Sequence, residues 1–176
     1  VVSVNGKEAG KWAYGYNAFR IDITPFIKFG KSNLIEVHLN NVEESSRWYP
    51  GGGLYRPVSV ELYGNENFST WDTFVRTLKA DKQEAEVEVN ALLEGKTGKS
   101  GKTVIALLDE AGKKVVEQIV TGANPEIKTT LKVANPHLWS PESPYLYQVK
   151  LTRYEGKKVA DVQTLKTGIR TIAVSK

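Results

Sequence analysis

The hydrophobic pattern of this chain is one of short β-strands. Apolar residues recur at every second position, which places them on one face of a strand. No amphipathic helix of ordinary length interrupts this alternation. We therefore predict an all-β chain, and before residue 64 the pattern occurs at Val2 and Val4, Ile21 and Ile23, Ile35 to Leu39, and Val58 to Leu62.

Two turn signals separate the first predicted strands. Asn5-Gly6 predicts a tight hairpin, because both residues tolerate the positive φ of a type I′ turn. Further along, Thr24 as a cap, Pro25 at the first helical position and Gly30 as a terminator predict a single helical turn. The first strands are therefore expected to pair antiparallel, with a short helical connector after them.

A change of composition marks a domain boundary near residue 64. Gly64-Asn65-Glu66-Asn67 is a polar run with few expected strand contacts. We predict two domains, residues 1–64 and 65–174. The second has seven strand-like runs, which are typical of an immunoglobulin-like sandwich: residues 74–79, 87–93, 104–108, 115–120, 127–133, 145–154 and 159–165. The first has about five strands and would bury little apolar area alone, so we expect that part of this domain precedes Val1.

Composition narrows the classes of partner. The net charge of +4 comes from lysines scattered over 176 residues, not from an arginine stripe typical of nucleic-acid binders, so we expect no nucleic-acid partner. No apolar run approaches the roughly 20 residues that cross a bilayer, so we expect no membrane partner. The absence of cysteine removes disulfides and thiolate metal sites. The absence of methionine indicates that the sequence is a segment of a longer protein. We also expect no cofactor.

Three motifs are more specific than any alternation. The first is Ser46-Arg47-Trp48-Tyr49-Pro50-Gly51-Gly52-Gly53-Leu54-Tyr55-Arg56-Pro57-Val58, and the second is Asn135-Pro136-His137-Leu138-Trp139-Ser140-Pro141-Glu142-Ser143-Pro144-Tyr145-Leu146-Tyr147. The third is Gly168-Ile169-Arg170. In this order they resemble segments of glycoside hydrolase family 2, the β-galactosidase-like enzymes. Val4-Asn5-Gly6-Lys7 and Phe19-Arg20-Ile21-Asp22-Ile23-Thr24 also resemble its first domain, so the resemblance covers essentially the whole chain.

The resemblance implies a fold and a function. Residues 1–64 would be the C-terminal part of a jelly-roll-like sugar-binding domain, followed by an immunoglobulin-like β-sandwich. The parent enzyme would hydrolyse terminal β-galactosides with two glutamates on a barrel that begins after Lys176. The partners of this chain would be a carbohydrate substrate and the downstream barrel. Whether the parent enzyme is a homo-oligomer stays open. We expect the isolated chain to be inactive, and the protein to be periplasmic or extracellular rather than cytoplasmic.

The candidate substrate-binding residues are Ser46, Arg47, Trp48 and Tyr49. An aromatic face presents apolar area to a sugar ring, and an arginine offers a fork of donors to hydroxyls. In several family members the corresponding loop reaches into the active-site pocket. Some β-galactosidases have a sugar-binding aspartate where this chain has Ser46, and a serine makes a weaker hydrogen bond than a carboxylate. The alternative is that both aromatics pack under the glycine turn or against the barrel.

Other chemistry-bearing residues favour structural roles. We expect no catalytic residue and no metal site, because His38 and His137 lie in different predicted domains. Glu84, Glu86 and Glu88 alternate with apolar residues and are expected on a solvated strand face. Trp139 is expected to pack beneath the corner that the neighbouring prolines form, and Arg56 and Arg170 are expected to anchor loops or interdomain contacts. Two alternative functions stay open: a stand-alone carbohydrate-binding or adhesion module, and the same region of a β-glucuronidase or β-mannosidase.

Overall fold

The chain folds into two compact units, Val1–Val60 and Glu61–Lys176. The structure is a computed structural model, and it describes residues 1–42, 51–95 and 101–173. The predicted all-β class is confirmed: eleven strands and one short 3-10 helix make up the regular structure of these residues. Among them, no helix has the length and apolar content needed to cross a bilayer.

Unit 1 contains a three-stranded antiparallel sheet in the order β2-β1-β3. The predicted hairpin at Asn5-Gly6 is confirmed, with φ values of 52° and 77° at the two residues. A left-handed turn of this kind matches the twist of the flanking strands. The elements are β1 (Val2–Val4), β2 (Lys7–Gly10), the 3-10 helix (Thr24–Phe26) and β3 (Ile35–Val37).

Asn5 also ties the sheet to the residues around it. Its Nδ2 donates to the Phe26 carbonyl oxygen at 2.8 Å and to Asn33 Oδ1 at 2.9 Å, and its Oδ1 accepts from the Leu34 amide at 3.2 Å. One residue therefore supplies both the turn conformation and three hydrogen bonds between segments far apart in sequence.

Three expectations for unit 1 are corrected. The helical turn exists, but its N-cap is Ile23 and no side chain caps it. Thr24 instead donates its backbone N–H to Asp22 Oδ1 at 2.9 Å. Ile21 to Ile23 and Val58 to Leu62 are not strands. Alternation makes a segment suitable for a strand, but a strand forms only where a neighbouring backbone completes its hydrogen bonds.

Much of the apolar surface in unit 1 is exposed. Among its described residues, the buried hydrophobic side chains are Val2 and Val4. Val58 is 68% exposed, and Tyr16 is 71% exposed. An exposed apolar surface of this extent is typical of a surface that binds another molecule or domain.

Unit 2 is a sandwich of two antiparallel sheets. One sheet has the order β11-β10-β7-β8; in the other, β6 pairs with β9 along one edge and with β4 and β5 along the opposite edge. This is the immunoglobulin-like architecture expected from seven strand patterns. The strands are β4 (Glu66–Phe68), β5 (Phe74–Ala80), β6 (Glu84–Gly95), β7 (Gly101–Leu108), β8 (Lys114–Thr121), β9 (Glu126–Ala134), β10 (Tyr147–Glu155) and β11 (Lys158–Thr167).

The core of unit 2 lies between the two sheets. Val87 and Val89 of β6 face Leu151 of β10 and Leu107 of β7 within one buried cluster. Alternate residues of each strand point inward, as the sequence pattern predicted. Charged residues are buried here as well: Arg153 of β10 is 1% exposed and Glu66 of β4 is 3% exposed. The core of this unit therefore contains a guanidinium group that must find partners inside the protein.

Candidate functional site

The predicted sugar-contact residues Ser46, Arg47, Trp48 and Tyr49 lie outside the residues that the structure describes, and their roles stay predictions. The residues on either side of this segment are described. Asn41 and Gly52 lie side by side, because a Cβ added to Gly52 would be 3.5 Å from Asn41 Cβ. The described residues on either side of the segment therefore come close together.

An aromatic surface in unit 1 includes a residue of the first motif, Tyr55. The Tyr55 hydroxyl donates to the Tyr16 carbonyl oxygen at 3.5 Å, which joins the first motif to an earlier segment. The Arg56 guanidinium carbon lies 5.3 Å from the centre of the Tyr55 ring. Tyr14 and Tyr16 contact each other with ring centres 5.7 Å apart. These aromatic rings lie at the protein surface, where a ligand can reach them.

A second aromatic pair lies in the same early segment. Trp12 and Phe19 stack with ring centres 5.9 Å apart and planes inclined by 12°. We name these five residues the aromatic surface of unit 1: Trp12, Tyr14, Tyr16, Phe19 and Tyr55. Sequence reasoning missed the four in the early segment, although Trp12, Tyr14 and Tyr16 alternate. That alternation is a detectable sign of aromatic rings displayed together.

The second motif forms a packed corner in unit 2. The Trp139 amide donates to the Ile169 carbonyl oxygen at 2.9 Å, and the Arg170 guanidinium carbon lies 4.4 Å from the Trp139 ring centre. A Cβ on Gly168 would come within 2.8 Å of the Trp139 side chain. Glycine at 168 therefore leaves room for the tryptophan, and Arg170 covers it by a cation–π contact. These contacts are structural in kind.

His137 belongs to the same corner. Its ring stacks on Tyr145 with centres 4.2 Å apart and planes inclined by 7°, and its Nε2 lies 3.0 Å from Ser143 Oγ. The His137 backbone amide donates to the Tyr147 hydroxyl at 2.8 Å. Burial raises the pKa of Tyr147, so this phenol stays neutral and available as a hydrogen-bonding group. These contacts fix the conformation of the loop at this corner of unit 2.

The expectation that Glu88 is solvated is wrong. Its side chain is 6% exposed, because Arg76 and Lys128 reach over it from the neighbouring strands. Arg76 Nε lies 2.7 Å from Oε1 and Lys128 Nζ lies 3.2 Å from Oε2, while Asn90 Nδ2 donates to Oε1 at 2.9 Å. The Asn90 hydrogen bond and the two cations hold the pKa of Glu88 at about 2. A carboxyl that stays ionised cannot act as a general acid near neutral pH.

The described residues hold no group of three or more histidine, cysteine, aspartate or glutamate side chains that could bind a metal ion. His38 lies in unit 1 and His137 in unit 2. The described residues instead form two surfaces that a ligand can contact. One is the set of exposed aromatic rings in unit 1, and the other is the row of charged and amide side chains on one sheet of unit 2. Both are suited to binding polar ligands that have an apolar face.

Comparison with known proteins gives a consistent family. The family model described as "Glycosyl hydrolases family 2" matches residues 68–170. A Formosa agariphila protein provisionally named a β-glucuronidase is 38% identical over 98% of the chain and 16% of its own length. A β-galactosidase from Bacteroides ovatus is 33% identical over 98% of the chain and 21% of its own length.

A solved structure gives the same result. The crystal structure of a glycosyl hydrolase family 2 member from Bacteroides cellulosilyticus is 37% identical, with a TM-score of 0.89 over 98% of this chain and 25% of that one. The chain therefore spans between about a sixth and a quarter of the lengths of these three proteins.

Proposed function

The chain belongs to glycosyl hydrolase family 2, and from this premise we propose that it is a non-catalytic part of a glycosidase. Its parent would hydrolyse terminal β-linked galactosides, and this part would shape the sugar pocket and support the catalytic barrel. The observation that carries the proposal is the family match over residues 68–170, which fall in an immunoglobulin-like sandwich. Among the described residues, Glu88 is the one carboxyl group whose pKa is strongly lowered, and its neighbours keep it ionised.

The aromatic surface of unit 1 supports a role in sugar binding. Exposed rings present apolar faces to the C–H side of a pyranose, and five such rings belong to this surface. Trp48 and Tyr49 would add to them from the first motif, with Arg47 and Ser46 binding hydroxyl groups. The exposed apolar residues of the unit, such as Val58 at 68%, would pack against another part of the parent enzyme.

A β-glucuronidase parent is the second candidate. The provisional name of one relative favours it, and so does Ser46, because some β-galactosidases have a sugar-binding aspartate at that position. A glucuronide carries a carboxylate, which arginine binds best through a bidentate contact. Arg47 and Arg56 are the arginines of the first motif. A periplasmic or extracellular location stays a prediction.

Substrate assays on the parent enzyme test the proposal. The full-length enzyme and the 176-residue chain would each be assayed with p-nitrophenyl β-galactoside, β-glucuronide and β-mannoside. We expect hydrolysis of one glycoside by the full enzyme and none by the chain. Activity of the isolated chain would refute its non-catalytic role, and preference for the glucuronide would select the second candidate.

Replacement of the loop aromatics tests the pocket role. Trp48→Ala and Tyr49→Ala in the full enzyme should each raise KM about tenfold, because losing one stacked ring costs about 1 kcal/mol or slightly more. The melting temperature should change little. Phe29→Ala is the matched control, because Phe29 is an exposed aromatic of the same unit outside the first motif. Unchanged kinetics with a large loss of stability would show that the loop aromatics serve packing instead.

A further inference from the structure

An open depression on the outer face of unit 2 has no role in the function proposed above. It encloses about 270 Å³ between the loop that precedes β5 and the strands β6 and β9. Four polar residues line it, Asp72, Asn90, Glu126 and Lys128, together with the apolar residues Ala91, Leu92 and Ile127. The depression therefore offers both hydrogen-bonding groups and apolar surface, which suits a small polar ligand with an apolar face.

The pairing of the strands adds an aromatic ring to the rim. Phe74 of β5 lies opposite Asn90 of β6, and Asn90 lies opposite Lys128 of β9. The next residues, Val75 and Val89, belong to the core side, so by alternation Phe74 and Asn90 face outward. Phe74 is 52% exposed. One row across the sheet therefore presents an aromatic ring, an amide and an ammonium group beside the depression.

Buried Glu88 holds two of these polar groups in place. It accepts a hydrogen bond from Asn90 Nδ2 at 2.9 Å and contacts Lys128 Nζ at 3.2 Å. With Nδ2 directed to Glu88, the Asn90 side-chain carbonyl oxygen points away from Glu88. The positions of the amide and the ammonium group are thus set before any ligand arrives, which lowers the entropy cost of binding.

The charges favour a neutral ligand. Asp72 and Glu126 carry two negative charges at the depression, and Glu88 is shared by the two cations Lys128 and Arg76. The five charged groups together therefore sum to one negative charge. An acidic ligand would be repelled by both carboxylates. A neutral ligand with hydroxyl groups could donate to the carboxylates and to the Asn90 carbonyl oxygen, and accept from Lys128.

We propose that this depression binds a neutral sugar unit of an oligosaccharide. The apolar face of the ring would lie on Phe74 and Leu92, and the hydroxyl groups would bind Asp72, Asn90, Glu126 and Lys128. The site shares no residue with the predicted contact set 46–49, so it would give a polymeric substrate a second point of attachment. Because the depression is open and has one aromatic ring, we expect a Kd of roughly 1 mM, near the weak end of specific binding.

Titration of the 176-residue chain, followed by amide NMR spectra, tests the site. The probes are lactose and cellotriose as neutral sugars and digalacturonic acid as an acidic one. We expect saturable shifts with a neutral sugar at the amides of Asp72, Asn90, Leu92, Glu126 and Lys128, and weaker binding of digalacturonic acid. No saturable shift with either neutral sugar, shifts confined to other residues, or tighter binding of the acid would overturn the proposal.

Variants make the test specific. Phe74→Ala and Glu126→Ala should each raise Kd at least about fivefold, since a lost ring contact or charged hydrogen bond is worth about 1 kcal/mol. Phe29→Ala, an exposed phenylalanine in unit 1, should leave Kd unchanged. Equal affinity in all three variants would refute the site. The assay needs no catalysis, so its failure is distinct from failure of the kinetic test of Trp48 and Tyr49.

Discussion

Breaking the buried ion pair between Glu66 and Arg153 is expected to destabilise unit 2 severely. Arg153 Nη2 donates to Glu66 Oε1 at 2.8 Å and to the Gly122 carbonyl oxygen at 3.2 Å, and Nη1 donates to Thr103 Oγ1 at 3.2 Å. Both charged side chains are at most 3% exposed. Water therefore cannot replace a partner that is removed.

The magnitude depends on what each substitution leaves behind. Glu66→Gln keeps the shape of the side chain but leaves the guanidinium charge in the core without its counter-charge. Removing one partner of a buried pair typically costs about 3–5 kcal/mol. A domain has about 5–15 kcal/mol of stability in total, so the loss is a large fraction of it. For a unit of this size the melting temperature should fall by roughly 12–20 °C.

A double-mutant cycle measures the pairing directly. Urea and thermal unfolding would be followed by circular dichroism for the wild type, Glu66→Gln, Arg153→Met and the double variant. We expect the double variant to be less destabilised than the sum of the single variants by about 2 kcal/mol or more, because it buries no unpaired charge. A loss under about 1 kcal/mol for Glu66→Gln, with no coupling, would refute the reasoning.

Three further predictions concern single positions. Glu88→Gln should flatten the pH dependence of the free energy of unfolding. The pKa of Glu88 is lowered from 4.5 to about 2, so in the wild type its stabilising contribution is present above pH 4.5 and is lost toward pH 2. The variant lacks this pH-dependent contribution, which unfolding measured over a series of acidic pH values would show. Gly168→Ala should lower the melting temperature and alter tryptophan fluorescence, because the new Cβ would lie 2.8 Å from Trp139 atoms. Asn5→Ala should cost about 2–3 kcal/mol in urea unfolding, since alanine disfavours a φ of 52° and removes three hydrogen bonds.

Matched variants separate these causes. Glu84→Gln removes an exposed carboxylate from the same strand as Glu88, and Gly15→Ala adds a Cβ that meets nothing within 4 Å. Asn5→Gly permits the positive φ but makes no side-chain hydrogen bond, so its cost should fall between those of the wild type and Asn5→Ala. If Glu84→Gln changes the pH dependence of the free energy of unfolding as much as Glu88→Gln does, the buried carboxylate of Glu88 is not the cause of that dependence.

The strands of unit 2 could be predicted because their signals are local. Seven strand-like runs correspond to β5 through β11, with ends within a few residues of those observed. β4 was missed, since it is only three residues long and includes Glu66 and Asn67, whose polarity resembles a linker. In unit 1 the Asn5-Gly6 hairpin was predicted correctly, because two adjacent residues define that turn.

The sequence by itself determined the all-β class, the hairpin and the family, because alternation, turn residues and motifs act over short stretches of chain. Only the tertiary structure decided which polar groups are buried. Glu66 meets Arg153 across 87 positions, and Glu88 is covered by side chains from two neighbouring strands. Burial of a charge depends on what packs above it, and those neighbours come from distant parts of the chain.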